Sequence, residues 1–506
     1  MANKKIKAVM ILIIFIIFTL VFIFSASCKK SENENPAGED AVAANTQNGG
    51  EEAPKATNRR DIPDDLPEAD LNGRDFNILC HEMLTVEFVA EEENGDIVND
   101  ALYKRNTSVS ERFNVNINMI QIPGSWADRD SFMRTLRNSV QSGGSDYDLV
   151  AGVTSYIPLL VPQGIFMDIN APGSSLDFDK PWWGQDWIKE LSIGDTLYLV
   201  TGDVALSMWD CMFVFFFNKK LTQDNDLPDL YEIVKNKEWT YDKFTELSKT
   251  VSKDLDGDGK YTQSDLFGFI TTTGTVVNAF PGGFDMEITY KDENNIPHPR
   301  LDTDKWTQAA IKLLELHHNT NSTLTLPDSS DRETTMPMFQ EDRALFFPQT
   351  LSYAGDFRAM ETDFGILPFP MYDNNQKNYC AVVRNAASLI GIPATAENPG
   401  ECGLILEALA AESYKTVIPA YYDIALKIKQ ARDDESGEML DIMREHLWMN
   451  FGYSYSLSTG SIGNYMRELI ESKSSNFVSL YESTFDKRAA IFDKYIEDVQ
   501  NLAARG

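Results

Sequence analysis

Between Phe76 and Gly152 short apolar runs alternate with helical patterns, and this rhythm constrains the fold of the 506-residue chain more than any other feature. Phe76-Asn77-Ile78-Leu79-Cys80 reads as a strand. Asn99 to Arg112 is helical in character, and Val115-Asn116-Ile117-Asn118-Met119 alternates as a half-exposed strand does. Phe132, Met133, Leu136 and Val140 share one face of a second helix, and Tyr147 to Gly152 is a third strand ending in a turn. Strand–helix–strand–helix–strand with short links predicts an α/β fold, its sheet mainly parallel and flanked by helices on both faces.

Later segments repeat the theme. Met212 to Phe217, Ala344 to Phe347, Phe364 to Leu367 and Ser388 to Ile392 are further strands. Trp239-Thr240 leads into a helix ending near Ser252, and Trp306, Ala310, Leu313 and Leu314 form a helical stripe capped by Asp302 or Thr303. The chain ends in a helix whose buried face is Phe485, Ala489, Phe492, Ile496 and Val499, with Ser483 and Asp486 as a capping-box-like start. So long a chain exceeds one simple core and divides into two or three lobes.

The formal charge is −32, which argues against nucleic acid, because that binding relies on Lys and Arg contacts with phosphates. It also disfavours broad contact with anionic lipid. Lys4, Lys5 and Lys7 precede an apolar run from Ala8 to Phe24, which ends in Ser25-Ala26-Ser27-Cys28. A basic start, an apolar core and small residues before a lone cysteine form a secretory signal. Cys28 resembles the lipidated cysteine of a bacterial lipobox, with Ser25 where Leu is usual. The alternative is an uncleaved anchor, since roughly 17 apolar residues is at the short end of a membrane span. Either way the bulk of the chain lies outside the cell. Residues 29–69 are rich in Ser, Glu, Asn, Gly, Ala and Pro and read as a disordered tether. Cys80, Cys211, Cys380 and Cys402 are far apart and form no CxxC pair, which leaves bridges and buried thiols both open.

The sharpest local motif runs from Asp254 to Asp265. Asp254, Asp256 and Asp258 occupy positions one, three and five of an EF-hand calcium loop, Gly259 position six and Asp265 position twelve, where Glu is usual. Lys260 would add its backbone carbonyl and Thr262 a direct or water-mediated contact, giving a structural calcium site. Enzyme signatures are missing: the sequence holds no HExxH, GxSxG or Walker A motif. Glu82, Asp203 and Glu341 are conceivable as a glycosidase carboxylate pair, but acids are too common here for that to be specific. Of the eight tryptophans, Trp209 and the Trp182-Trp183 pair are the candidates for stacking on sugar rings.

Taken in order, these pieces resemble a bacterial extracellular solute-binding protein of the type related to the maltose and oligosaccharide receptors of ABC importers. The resemblance covers about Asp75 to the C-terminus. It is carried by Tyr147-Asp148-Leu149-Val150 with Tyr156 and Gly164-Ile165-Phe166, and by Asp195 to Val200 through Ala205-Leu206-Ser207. It is also carried by Phe215-Phe216-Phe217-Asn218-Lys219-Lys220-Leu221, by Met338-Phe339 to Phe347, and by Phe364-Gly365-Ile366-Leu367-Pro368-Phe369-Pro370.

The resemblance implies a two-lobed, class II periplasmic-binding-protein-like fold. Residues 1–28 would be the lipoprotein signal and 29–69 the tether. Segments 70–205 and 385–415 would form one lobe, with 206–384 and 416–506 forming the other, which carries the calcium-like loop 254–265. It further implies a non-catalytic, monomeric receptor. Anchored by acyl groups such as palmitate on Cys28 to a Gram-positive-type membrane, it would catch an oligosaccharide between its lobes and pass it to an ABC permease.

Ligands of open α/β sheets lie at the carboxyl ends of strands. Those ends are His81 and Glu82; Thr154, Ser155 and Tyr156; Asp203, Ser207 and Trp209; and Gln349, Thr350 and Tyr353, with Arg384 beside the second crossover. Asp203 is expected to accept from hydroxyls, Trp209 or Tyr353 to stack, and Arg384 and Gln349 to donate. The rival readings are a receptor for peptides or cationic solutes, which the acidic balance favours, a surface carbohydrate-active enzyme, and a structural lipoprotein without a cleft.

Overall fold

The computed structural model describes residues 59–82, 87–171, 175–422 and 433–505. Parallel strands β1 (Arg74–His81), β2 (Val115–Ile122) and β3 (Leu149–Val153) are linked by helices α1 (Ile97–Phe113) and α2 (Arg129–Gln141). Asp96 starts α1 by accepting the Val98 and Asn99 backbone N–H groups, which would otherwise be unpaired. Asn114 ends it in the left-handed region, which frees the chain to turn straight into β2.

The second sheet holds β4 (Phe213–Asn218), β5 (Phe267–Thr272), β6 (Thr323–Leu326), β7 (Ala344–Thr350) and β8 (Phe364–Leu367) in the order β8-β4-β7-β5-β6. Strand β4 is antiparallel to both neighbours, while β5, β6 and β7 run parallel. Strand β9 (Ser388–Gly391) returns to the first sheet, antiparallel to β3, and gives it the order β9-β3-β1-β2. The α/β class expected from the sequence holds; the first sheet is mainly parallel as expected, whereas the second is mixed, because β4 lies antiparallel to both neighbours.

Four longer helices matter below: α3 (Tyr241–Val251), α4 (Thr303–His318), α5 (Pro399–Glu412) and α6 (Phe477–Ala503). Thr240 caps α3 and Asp302 caps α4 with its carboxylate. Helix α6 starts six residues before the expected Ser483, because Asn476 caps it and Phe477 stacks on Trp306, with 5.5 Å between ring centroids. Its far end reaches the first lobe, where the Tyr495 hydroxyl donates to the Pro158 carbonyl at 3.1 Å. No helix among the described residues is long and apolar enough to cross a membrane.

Three other expectations change. The tether ends sooner than residue 69: Arg112 grips Asp64 through two bonds of 2.6 and 3.1 Å, and Ile62 and Leu66 pack on the core. Residues 1–58, with Cys28, lie outside the described ones. Trp182 and Trp183 are core residues rather than sugar platforms, because their indole N–H groups donate to the two oxygens of Glu407 on α5 at 2.7 and 2.9 Å. Cys80, Cys211, Cys380 and Cys402 are buried free thiols. Burial, helped by the nearby Glu87 carboxyl, pushes Cys80 up to about 12, so these sulfurs act as small apolar groups.

Candidate ligand-binding seam

The two sheets meet along a pair of crossing segments. Val200 bridges to Ile390 and Met212 to Val383, both antiparallel. The carboxyl ends of β3 and β7 dock onto this pair, one on each segment. The Thr154 and Ser155 N–H groups donate to the Ala387 and Asn385 carbonyls at 2.9 and 3.0 Å, and Leu351 N–H donates to the Met212 carbonyl at 2.8 Å. Arg384 N–H donates to the Cys211 carbonyl at 2.8 Å, which holds the Arg384 backbone at the crossover. The seam therefore collects Ser155 from one lobe, Gln349 and Tyr353 from the other, and Arg384 from the crossover.

Gln349 and Tyr353 are held by a partner the sequence did not reveal. Gln349 Nε2 donates to Asp331 Oδ2 at 2.9 Å, the Tyr353 hydroxyl donates to the same oxygen, and Thr335 Oγ1 donates to Asp331 Oδ1 at 3.1 Å. The Arg332 guanidinium lies over the Tyr353 ring, 4.5 Å from its centroid. Burial and the Asp331 bond push the Tyr353 hydroxyl far above its ordinary range, against the opposing pull of Arg332 and Arg384, so it stays a neutral donor. The half-buried Arg384 guanidinium makes no hydrogen bond or ion pair to any described residue and is free to donate. Asp331 and Arg332 open a π-helical turn (Asp331–Thr335) that carries no motif, so no sequence signal marks them.

Other nominated residues are committed elsewhere. The Thr154 hydroxyl donates to the Ala387 carbonyl at 2.5 Å and the Tyr156 hydroxyl to the Gly124 carbonyl at 2.8 Å. Ser207 belongs to a buried hub centred on Glu87. Glu87 accepts from the Ser207 N–H at 3.1 Å, from the Ser207 hydroxyl, and from the Ser388 hydroxyl at 2.6 Å, while His81 Nε2 lies 3.0 Å from Ser388 Oγ. Burial pushes Glu87 up to about 7 against those hydrogen bonds, and burial also takes His81 down to about 4. Glu82 is exposed.

The family model for bacterial extracellular solute-binding proteins matches residues 109–415. The chain belongs to that family. Its fold is that of solved relatives at low identity. An ABC substrate-binding protein from Listeria monocytogenes, solved with cycloalternan, aligns over 86% of this chain and 100% of its own at 9% identity and a TM-score of 0.51. Maltose-bound MalE3 of T. maritima aligns over 85% and 100% at 14% identity and 0.51. A sugar transporter protein of Rhizobium etli in an open conformation aligns over 84% and 99% at 12% identity and 0.54. No curated protein matches the sequence.

In this solute-binding protein Asp203 and Trp209 lie in a second polar cluster. Asp203 is buried and pushed up to about 7 by desolvation, against the pull of Arg444 and Arg59. Trp209 is buried edge-on against Tyr422 at 5.4 Å, and Arg444 lies 5.1 Å from the Trp209 ring. Asp210, next to it, is pushed up to about 6 by burial although it accepts the Tyr421 hydroxyl.

The acidic loop lies between α3 and β5, closed by an antiparallel bridge from Lys253 to Leu266. One carboxylate oxygen each from Asp254, Asp256 and Asp265 falls within 4.8 Å of the others. Asp256 accepts the Asp258 N–H yet sits above the usual carboxylate range, since it is partly desolvated and faces Asp258, Asp265 and Asp254. Asp258 turns to the Lys260 N–H at 2.7 Å, and Asp265 takes the Leu255 and Thr262 N–H groups at 2.8 and 2.7 Å. Crowded hard oxygens of one sign fit a calcium ion.

Proposed function

We propose that this extracellular solute-binding protein captures an oligosaccharide at the seam between its lobes and delivers it to an ABC importer, held at the membrane by a lipid on Cys28. The observation that carries the reading is the seam itself. Ser155, Gln349, Tyr353 and Arg384 bring hydroxyl, amide, phenol and guanidinium groups from two lobes and a crossover to one place, as a many-hydroxyl ligand requires. The sugars carried by the fold's solved relatives, cycloalternan and maltose among them, support a carbohydrate over other solutes. The role is binding and release, with no chemical step.

Calorimetric titration of the mature chain against neutral and acidic oligosaccharides tests the proposal. Heat with at least one glycan is the expected result. Heat with peptides or polyamines alone would select the cationic-solute reading that the net charge of −32 favours. Conversion of the glycan, seen by chromatography, would select a surface carbohydrate-active enzyme.

We further propose that Asp254, Asp256, Asp258, Asp265, the Lys260 carbonyl and Thr262 hold a structural calcium ion. The likeness of the loop to an EF-hand and the crowding of three carboxylates support it.

A further inference from the structure

Trp126 is the one tryptophan among the described residues that is exposed, at 57% of its full area. An exposed tryptophan keeps a large apolar ring face available to a partner. It follows β2 in the loop at the carboxyl edge of the first sheet, the edge that also presents Ser155 beyond β3. The loop is pinned there. The Gly124 carbonyl accepts the Tyr156 hydroxyl at 2.8 Å, and a side chain at Gly124 would come within 2.4 Å of His81 Cβ. Only glycine allows this approach, and Trp126 can lie no more than about 7 Å of chain beyond it.

The ring itself is held ready. Arg129, at the start of α2, places its guanidinium 4.5 Å from the Trp126 ring centroid and donates from Nη1 to the Trp126 carbonyl at 2.6 Å. A platform fixed before binding loses little freedom when it is used. Its surroundings are polar: Ser125 donates to Asp128 at 2.6 Å, and no other large apolar side chain of the neighbouring loop and helix is exposed. An isolated aromatic face ringed by polar groups suits a sugar ring, with its apolar face and rim of hydroxyls, better than a protein or lipid surface, which needs a continuous apolar patch.

Strand β2 lies two strand spacings from β3, about 10 Å. Trp126 is therefore offset from Ser155 and the crossover, and serves a different ring of the ligand. We propose that Trp126, backed by Arg129, is an outer subsite that stacks on a ring of an extended glycan whose inner ring sits at Ser155 and Arg384. This rests on the oligosaccharide reading above and adds the residue that holds an outer ring of the chain.

The test titrates the mature protein and its Trp126→Ala and Trp126→Phe variants with glucans of α-1,4 and β-1,4 linkage, β-1,4-mannans and α-1,4-galacturonans of one to six rings. The intact protein should gain affinity as its preferred glycan lengthens. Trp126→Ala should lose about tenfold for the longer chains, remain unchanged for the shortest that binds, and recover most of the loss as Trp126→Phe. Equal loss at every length would mark Trp126 as merely structural and overturn the proposal, as would no loss at any length. Heat from no glycan would remove the carbohydrate reading and the subsite with it, whereas glycan binding indifferent to Trp126 would remove the subsite alone.

Discussion

At the scale of single residues, the groups proposed to bind at the seam have their charge and hydrogen bonds set by the fold itself. Arg384 is half-buried with no hydrogen bond or ion pair to a described residue, and Tyr353 is kept a neutral donor by burial and Asp331. Replacing Arg384 with Gln should weaken glycan binding about tenfold or more with little change in melting temperature, because a charge-assisted hydrogen bond is lost and no internal pair is broken. Calorimetry beside a thermal melt checks both halves. The Glu87 hub behaves differently. Its carboxyl is raised to about 7 in the folded chain, so its contribution to stability is complete below the ordinary carboxylate range near 4.5 and is lost as pH rises to 7. Replacing Glu87 with Gln removes that dependence: the variant should gain on the native protein by about 3 kcal/mol between pH 4.5 and 7.5, read from denaturant midpoints. His81, lowered to about 4 by burial, has the opposite slope and is present in both proteins, so the difference isolates Glu87. A pH-independent difference would show that Glu87 is charged in the folded state.

At the scale of elements, β4 anchors the second lobe. Phe215 stacks on Phe269 at 5.9 Å and meets the edges or faces of Trp239, Phe244, Phe280, Phe346 and Phe369. Phe215→Ala should cost about 3–5 kcal/mol, measured by denaturant unfolding, because no neighbour can fill the space. The acidic loop joins α3 to β5, so a bound calcium ion would stiffen that junction. Chelator should lower the melting temperature of the native protein, added calcium should restore it, and Asp265→Asn should abolish the response. These elements were legible because their signals are local: the apolar run of β4, the Thr240 and Asp302 caps, and the spacing of acids in the loop. What escaped is held together over long sequence distances. Glu87 joins Ser207 and Ser388, and Asp331 joins Gln349 and Tyr353, through contacts that no window of sequence contains. Trp182 and Trp183 were misjudged for the same reason, since Glu407, which buries their polar edges, arrives from more than two hundred residues away.

At the scale of the whole molecule, two sheets joined by crossing segments place their strand ends on one seam, and the 27-residue α6 runs from Trp306 in the second lobe to Pro158 in the first. The order of family-like segments announced this division; the strand-end rule pointed to Ser155, Gln349 and Tyr353 along the seam, and the second crossover pointed to Arg384. That rule does not distinguish a side chain facing the seam from one turned into the core, as Tyr156 and Ser207 are. Amide hydrogen exchange on the mature protein, with and without a saturating glycan identified by calorimetry, tests the central claim most directly. The account predicts new protection at residues 153–156, 349–353 and 384–387 together, from both lobes and the crossover. Protection confined to one lobe, or lying wholly outside these segments, would contradict it.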